Sequence, residues 1–300
     1  MTAAFLAQLG KSVAERWLAL LILPGALWVG AAVAGYRLGQ RADPLDPQPL
    51  TSWARRVAAD PIAHADTTIA LAALAVLVAS AAAGLAATGL AAALQRLWVA
   101  HGVRPPLSWI LRARRERWAG LRETAAAKID RASDPALTGR ALARARAAAR
   151  RARRRHLARP TQPPRRPTRI AEVFSATSLR AKDRYGLDLD LAWPRMWTVL
   201  PEPLRTDFTA ASDTFAATAR LMAWALLYAA LGIVFWPAAP LGLVIGVTAT
   251  VRARAAAALL ADLIDTAVDL HLTDLADALH VPTEKPPDRA TGEAIGRRLA

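Results

Sequence analysis

Residues 67–95 read TTIALAALAVLVASAAAGLAATGLAAALQ, 29 residues without one charged side chain. A helix of about 20 apolar residues crosses the hydrocarbon core of a bilayer, where irregular backbone would be left unpaired. The stretch therefore predicts a membrane-spanning helix, and the rest of the chain is read outward from it. Upstream, residues 17–36 form a second charge-free run, WLALLILPGALWVGAAVAGY. Lys11 and Arg16 precede it, and Ala32-Val33-Ala34 resembles a signal-peptidase site. The run is longer than the roughly 7–15 apolar residues of a secretory signal, so a retained anchor is expected. Downstream, Arg220 and Arg252 enclose 31 charge-free residues. WPAAP at 236–240 would break a single helix there. A hairpin is expected instead: one helix over 215–236, a tight turn, and a second helix from Leu241. The last helix has only 11 residues before Arg252 and Arg254. It crosses only if 255–260 extends it and the two arginines snorkel to the headgroups; a re-entrant hairpin is the alternative.

The composition agrees. Hydrophobic residues make up 54% of 300, and mean hydropathy is +0.21. The fold expected is all-α: a four-helix integral membrane protein with a cytoplasmic helical domain and a C-terminal amphipathic helix. Its segments would be a membrane hairpin over 1–95 (spans 17–36 and 67–94), a basic domain over 96–214, a second hairpin over 215–252, and an acidic amphipathic helix with a tail over 253–300. There is no cysteine, which excludes disulfides, thiolate metal sites and cysteine nucleophiles.

Charge sets the expected orientation. Segment 96–214 holds 26 Lys/Arg against 11 Asp/Glu, a balance of +15, equal to the net charge of the whole chain. Loop 37–66 is balanced at four against four, and 252–300 has six basic and eight acidic residues. The positive-inside rule places 96–214, and with it both termini, in the cytoplasm of a bacterial plasma membrane. Of the ten tryptophans, Trp17 and Trp98 fall at the expected inner interface and Trp236 at the outer turn. Trp28 and Trp224 lie inside apolar runs and call for packing. In the second span, Ser80, Gly84 and Thr88 recur every four residues, a spacing that permits close helix approach. In loop 37–66, residues 52–59 are expected to form a short helix with Trp53 at the membrane surface.

Between residues 105 and 158 the chain is rich in Ala, Leu and Arg and favours helix. Asp134-Pro135 breaks it, so two helices over about 107–132 and 136–158 are expected, folded as a hairpin with Ser133 or Asp134 as a cap. Eight arginines fall within 144–159, and no acidic residue occurs between Asp134 and Glu172. Arg144, Arg146, Arg150, Arg151, Arg153, Arg154 and Arg155 are the candidate contacts to anionic lipid or another polyanion. A cluster of 4–8 basic residues beside a membrane attracts anionic headgroups. A solvated helix face is the plainer reading. Nucleic acid is disfavoured, because nothing resembles a base-reading motif.

TQPPRRPTR at 161–169 reads as a proline-rich linker. Beyond it, 170–182 is expected to be helical and Gly186 to end the helix. Leu187, Leu189 and Leu191 alternate with Asp188 and Asp190, and Trp193-Pro194 is expected to start a short helix. Tyr185, Trp193, Arg195 and Trp197 would form an interfacial structural motif, with Arg184 and Arg195 pairing to Asp188, Asp190 or phosphates. The pattern Asp183-Arg184-Tyr185-Gly186-Leu187-Asp188, then Trp193-Pro194-Arg195 and Leu200-Pro201 before a membrane hairpin, resembles a group of uncharacterised actinobacterial-type polytopic membrane proteins. The resemblance spans about 170–260. It implies a membrane location and assigns no catalytic role.

After Arg254, apolar residues recur at three- and four-residue intervals from Leu259 to Leu275, interspersed with Asp262, Asp265, Asp269, Asp274 and Asp277. This predicts an acidic helix continuous with the last span, ending near Val281, with the arginine-rich helix as its expected partner. The last residues look like a frayed tail with one short helix. His271/Asp274 and Asp277/His280 are each three apart, but without further ligands they make no metal site. No phosphate loop, nucleophile motif or in-span carboxylate pair occurs. The chain is expected to be a non-enzymatic membrane scaffold or anchor, without cofactors, contacting anionic lipid or a protein partner. An oligomeric pore or membrane-perturbing effector, and a ligand sensor around 185–195, are the alternatives.

Overall fold

In the computed structural model, residues 23–38, 48–59, 66–100, 105, 107–134, 136–157, 163–282 and 287–299 are described. Among them are ten helices and no strand: α1 Leu23–Leu38, α2 Gln48–Ala59, α3 Asp66–Val99, α4 Leu107–Ala132, α5 Gly139–Leu157, α6 Arg169–Tyr185, α7 Leu189–Val199, α8 Glu202–Leu231, α9 Ala238–Ala278 and α10 Arg289–Leu299. Three of these, within Thr67–Val99, Glu202–Leu231 and Ala238–Ala278, are long and apolar enough to cross a membrane. The expected first span is described only from Leu23; residues 17–22, with Trp17, lie outside the described residues.

The chain divides into two compact units, one from residues 1–95 and 209–256, the other from 96–208 and 257–300. In the first, lateral packing is made by small side chains. Ser80, Ala83, Ala87 and Ala91 of α3 are buried, as is Gly84. The seam expected from Ser80 and Gly84 thus exists, but it continues through Ala87 and Ala91, and the Thr88 hydroxyl turns back to the carbonyl of Leu85 (2.8 Å). Gly25 of α1 lies so close to the Ser80 carbonyl that a Cβ there would collide with it. A Cβ on Gly242 of α9 would come within 2.8 Å of the Ala225 carbonyl oxygen of α8. Ala219, Ala223 and Ala249 have no exposed surface. Such backbone-to-backbone approach is how helices associate when the solvent is itself apolar. The outer faces carry exposed Leu71, Leu74, Leu77, Val244, Val247 and Val251, side chains suited to lipid.

The turn between α8 and α9 falls earlier than the prolines indicate. Helix α8 stops at Leu231, five residues before Trp236, and the Gly232 N–H is shared between the carbonyls of Tyr228 (3.0 Å) and Ala229 (3.1 Å). Pro240 is the third residue of α9, a position whose N–H has no helical acceptor, so it starts that helix. Helix α9 runs unbroken for 41 residues through Arg252 and Arg254, both exposed. Residues 255–260 do extend the short run, as crossing required. In α1, the indole N–H of Trp28 is buried without an acceptor among the described residues. Arg37 stacks over Trp53 of α2 at 5.1 Å.

In the second unit, α4 and α5 form the expected helical hairpin. Asp134 Oδ1 accepts the Ala136 N–H (2.9 Å) and so shapes the connecting turn, while α5 itself begins at Gly139 with φ +54. The proline-rich segment is held in place. Arg114 donates to the carbonyl of Arg166 (2.7 Å) and pairs with Glu172 (2.5 Å), and Arg115 donates to the carbonyl of Pro164 (2.9 Å). Thr168 caps α6 through the Ala171 N–H (3.0 Å), and its hydroxyl donates to the Trp98 carbonyl (2.5 Å).

The Leu–Asp alternation resolves as helix, not extended chain. Asp188 is the N-cap of α7, accepting the Asp190 N–H at 3.0 Å, so α7 begins at Leu189, before Trp193. Leu189, Ala192, Met196 and Leu200 are then buried at helical spacing, and Trp193 and Trp197 meet the Phe208 ring edge-on at 5.0 and 5.9 Å. The C-terminal helix α10 is packed rather than frayed: Ile295 is fully buried, and Gly292 sits directly against the Tyr185 carbonyl.

Candidate functional site

The best-formed polar site in the second unit lies between α6 and α9. Its residues come together because each helix repeats one charge every turn. Arg180 and Arg184 are four apart on α6, as are Asp265 and Asp269 on α9, so each pair occupies one helix face. Arg180 binds Asp265 Oδ2 through Nη2 (2.5 Å) and Nε (3.1 Å), and Nη2 also reaches the Thr177 hydroxyl at 3.0 Å. The Arg184 Nη1 donates to both oxygens of Asp269 at 3.2 Å. The Tyr185 hydroxyl donates to Asp269 Oδ1 at 2.8 Å.

Tyr185 sits at the end of α6, where Gly186 (φ +66) closes the helix by donating to the Lys182 carbonyl at 2.9 Å. The residue is buried, at 9% exposure. Burial first, then the hydrogen bond to Asp269 and that carboxylate's charge, raise the phenol above its ordinary 10.0, against the opposing pull of Arg184. Beside these groups, Asp183 and Val268 help line an open cleft of about 480 Å³. Because both guanidinium groups already face a carboxylate, the arrangement acts as an ionic fastener between two helices. Its pairs are partly exposed, so each contributes modestly and is weakened by salt.

The four residues of the expected interfacial motif lie on α6 and α7. Tyr185 faces inward, Trp193 and Trp197 are half-buried around Phe208, and Arg195 donates to the Leu191 carbonyl (3.0 Å) on its own helix. Arg184 pairs with Asp269 rather than with Asp188 or Asp190, and Asp188 and Asp190 serve the start of α7. The acidic helix therefore finds its basic partners on α6, where the sequence pattern pointed to α5. His271 Nδ1 lies 2.7 Å from Asp274 Oδ2, while Asp277 and His280 meet through the backbone. Among the described residues no group of three or more His, Asp or Glu is placed to hold a metal ion.

The arginines of α5 form the contrasting surface. Arg144, Arg146, Arg150 and Arg151 are exposed, and among the described residues none has a carboxylate within 4.0 Å. Arg151 Nε donates to the Ala147 carbonyl at 3.3 Å. Arg153, Arg154 and Arg155 continue the helix in backbone, and their side chains lie outside the described residues. No protein-family model, curated protein or solved structure matches the chain.

Proposed function

We propose that this chain is a membrane-anchored scaffold, not an enzyme, whose α4–α5 hairpin engages anionic lipid headgroups at the cytoplasmic leaflet of a bacterial plasma membrane. One contrast carries the reading. Arg114, Arg180 and Arg184 each have a carboxylate partner, whereas Arg144, Arg146, Arg150 and Arg151 have none among the described residues. An array of like charges without internal counterions repels itself and is relieved by an anionic surface, at about 1 kcal/mol per arginine near the headgroups.

The absence of native cysteine makes the test clean. A single cysteine replacing exposed Ala143, carrying an environment-sensitive dye, is placed in the full chain in nanodiscs. With anionic lipid the dye should be quenched by headgroup nitroxides. Neutral lipid, 1 M salt, or the combined changes R144Q, R146Q, R150Q and R151Q should abolish the quenching. Equal quenching in neutral and anionic discs would remove the proposal.

The open cleft beside Tyr185 favours a second reading, a ligand sensor. Of the small-residue seam that motivated an oligomeric pore, Ser80 and Gly84 are buried within one chain and Thr88 is partly exposed. A ligand filling the cleft should change the accessibility of a cysteine at Asp183; a screen of anionic metabolites that leaves it unchanged would count against the sensor.

A further inference from the structure

The basic hairpin contains more than a charged face. Ile129 and Ala132 at the end of α4 and Ser133 just beyond it, with Arg146, Ala149 and Arg150 of α5, line an open groove of about 320 Å³. Arg146 and Arg150 are one turn apart on one helix face, and both line the groove. On α6 the same four-residue spacing, Arg180 and Arg184, is matched by two aspartates. At the groove no carboxylate is among the lining residues, and the nearby Asp134 accepts the Ala136 N–H. Apart from Ser133 the remaining walls are apolar, and Ile129 is 41% exposed. Two adjacent planar forks with no counterion suit one tetrahedral anion, since arginine pairs with phosphate through parallel N–H bonds.

We infer that this groove is a binding site for a single phosphate group, held by Arg146 and Arg150 with Ser133 beside it. The inference rests on the reading of α4–α5 as a lipid-facing hairpin and names the residues that would make that contact selective. A lipid headgroup and free phosphate share this chemistry. The apolar wall of Ile129, Ala132 and Ala149 offers acyl or glycerol carbon a surface that free phosphate does not use.

The experiment titrates the full chain, in neutral detergent, with dioctanoyl phosphatidate and with inorganic phosphate. Two double variants of equal charge loss are compared: R146Q/R150Q inside the groove and R144Q/R151Q outside it. The groove predicts that R146Q/R150Q weakens binding about tenfold or more, while R144Q/R151Q weakens it less than threefold, with helical circular dichroism unchanged in both. Phosphatidate binding well above inorganic phosphate assigns a lipid headgroup, and equal affinities assign free phosphate; either supports the site. Equal loss in both variants, or no loss in either, overturns it. The nanodisc quenching of each double variant is measured in parallel. If quenching persists while the groove pair proves unexceptional, the groove fails and the lipid-facing hairpin stands; if quenching never depended on anionic lipid, the hairpin reading itself has failed.

Discussion

Gly186 and His280 make opposite demands on the same region of backbone space. Gly186 has φ +66, and a Cβ there would meet Glu293 Cγ at 2.8 Å and the Arg289 carbonyl at 2.9 Å. Gly186→Ala should therefore lower the stability of the solubilised full chain by about 2 kcal/mol, combining the left-handed penalty with displacement of α10. His280 has φ 52, and the adjacent Val281 N–H closes α9 onto the Ala276 carbonyl at 2.9 Å. His280→Gly keeps that closure and relieves the strain, so it should raise stability by about 0.5 kcal/mol in the same thermal assay. Tyr185→Phe removes one partly buried hydrogen bond to Asp269 at a cost of about 1 kcal/mol. The raised phenol pKa fixes the sign of its pH dependence. The contribution is full below 10.0, the unfolded value, and drains as pH climbs through the higher folded value. An alkaline melt in which wild type and Tyr185→Phe lose stability in parallel would contradict this.

At the scale of elements, the helices were legible wherever one periodicity ruled. The hairpin α4–α5, the reach of α9 into its acidic half, and the end of α6 at Gly186 all followed from composition, breakers and spacing. The start of α7 did not, because Leu187–Asp190 alternates like a strand while Asp188 works as a cap, and only the neighbours of Leu189 decide between them. The partners of the acidic helix were also illegible. Charge counting favours the densest arginines, but pairing depends on register, and Arg180 and Arg184 match the spacing of Asp265 and Asp269. Helix α10 falls in what reads from sequence as a frayed tail, yet Thr291, Gly292 and Ile295 give it a narrow buried edge. Its start depends on Asp288, whose carboxylate accepts from the Thr291 N–H (3.0 Å) and hydroxyl (2.9 Å). Those hydrogen bonds hold the Asp288 carboxyl below its ordinary 3.8. The stabilisation is thus complete above 3.8 and is lost as pH falls through the lower folded value. The protection of residues 289–299 against hydrogen exchange, relative to the intrinsic rate at each pH, should fall in acid before that of α6, and Asp288→Ala should lower it at neutral pH. Protection that responds to neither change would contradict the capping role.

For the whole molecule, apolar length and charge asymmetry carried the reading, and small-residue packing sharpened it. Gly242→Leu should prevent α8 and α9 from closing, because its Cβ would lie 2.7 Å from the Ala229 nitrogen. The expected result is loss of the monodisperse solubilised protein, checked by size exclusion, whereas Gly30→Leu, with nothing within 4 Å, should be tolerated. Topology is tested by reporters after residues 45, 150 and 238. The charge distribution predicts cytoplasmic activity at 150 alone. The anchored segment 163–168 has a consequence for cleavage. Trypsin needs several residues of free, extended chain around an arginine; Pro167 already protects the bond after Arg166, and the Arg165–Arg166 bond lacks that freedom. The Arg165 N–H is engaged by Glu172 (3.2 Å) and the Arg166 carbonyl by Arg114 (2.7 Å). The Arg165–Arg166 bond should thus survive limited tryptic digestion, until Arg114→Ala releases it.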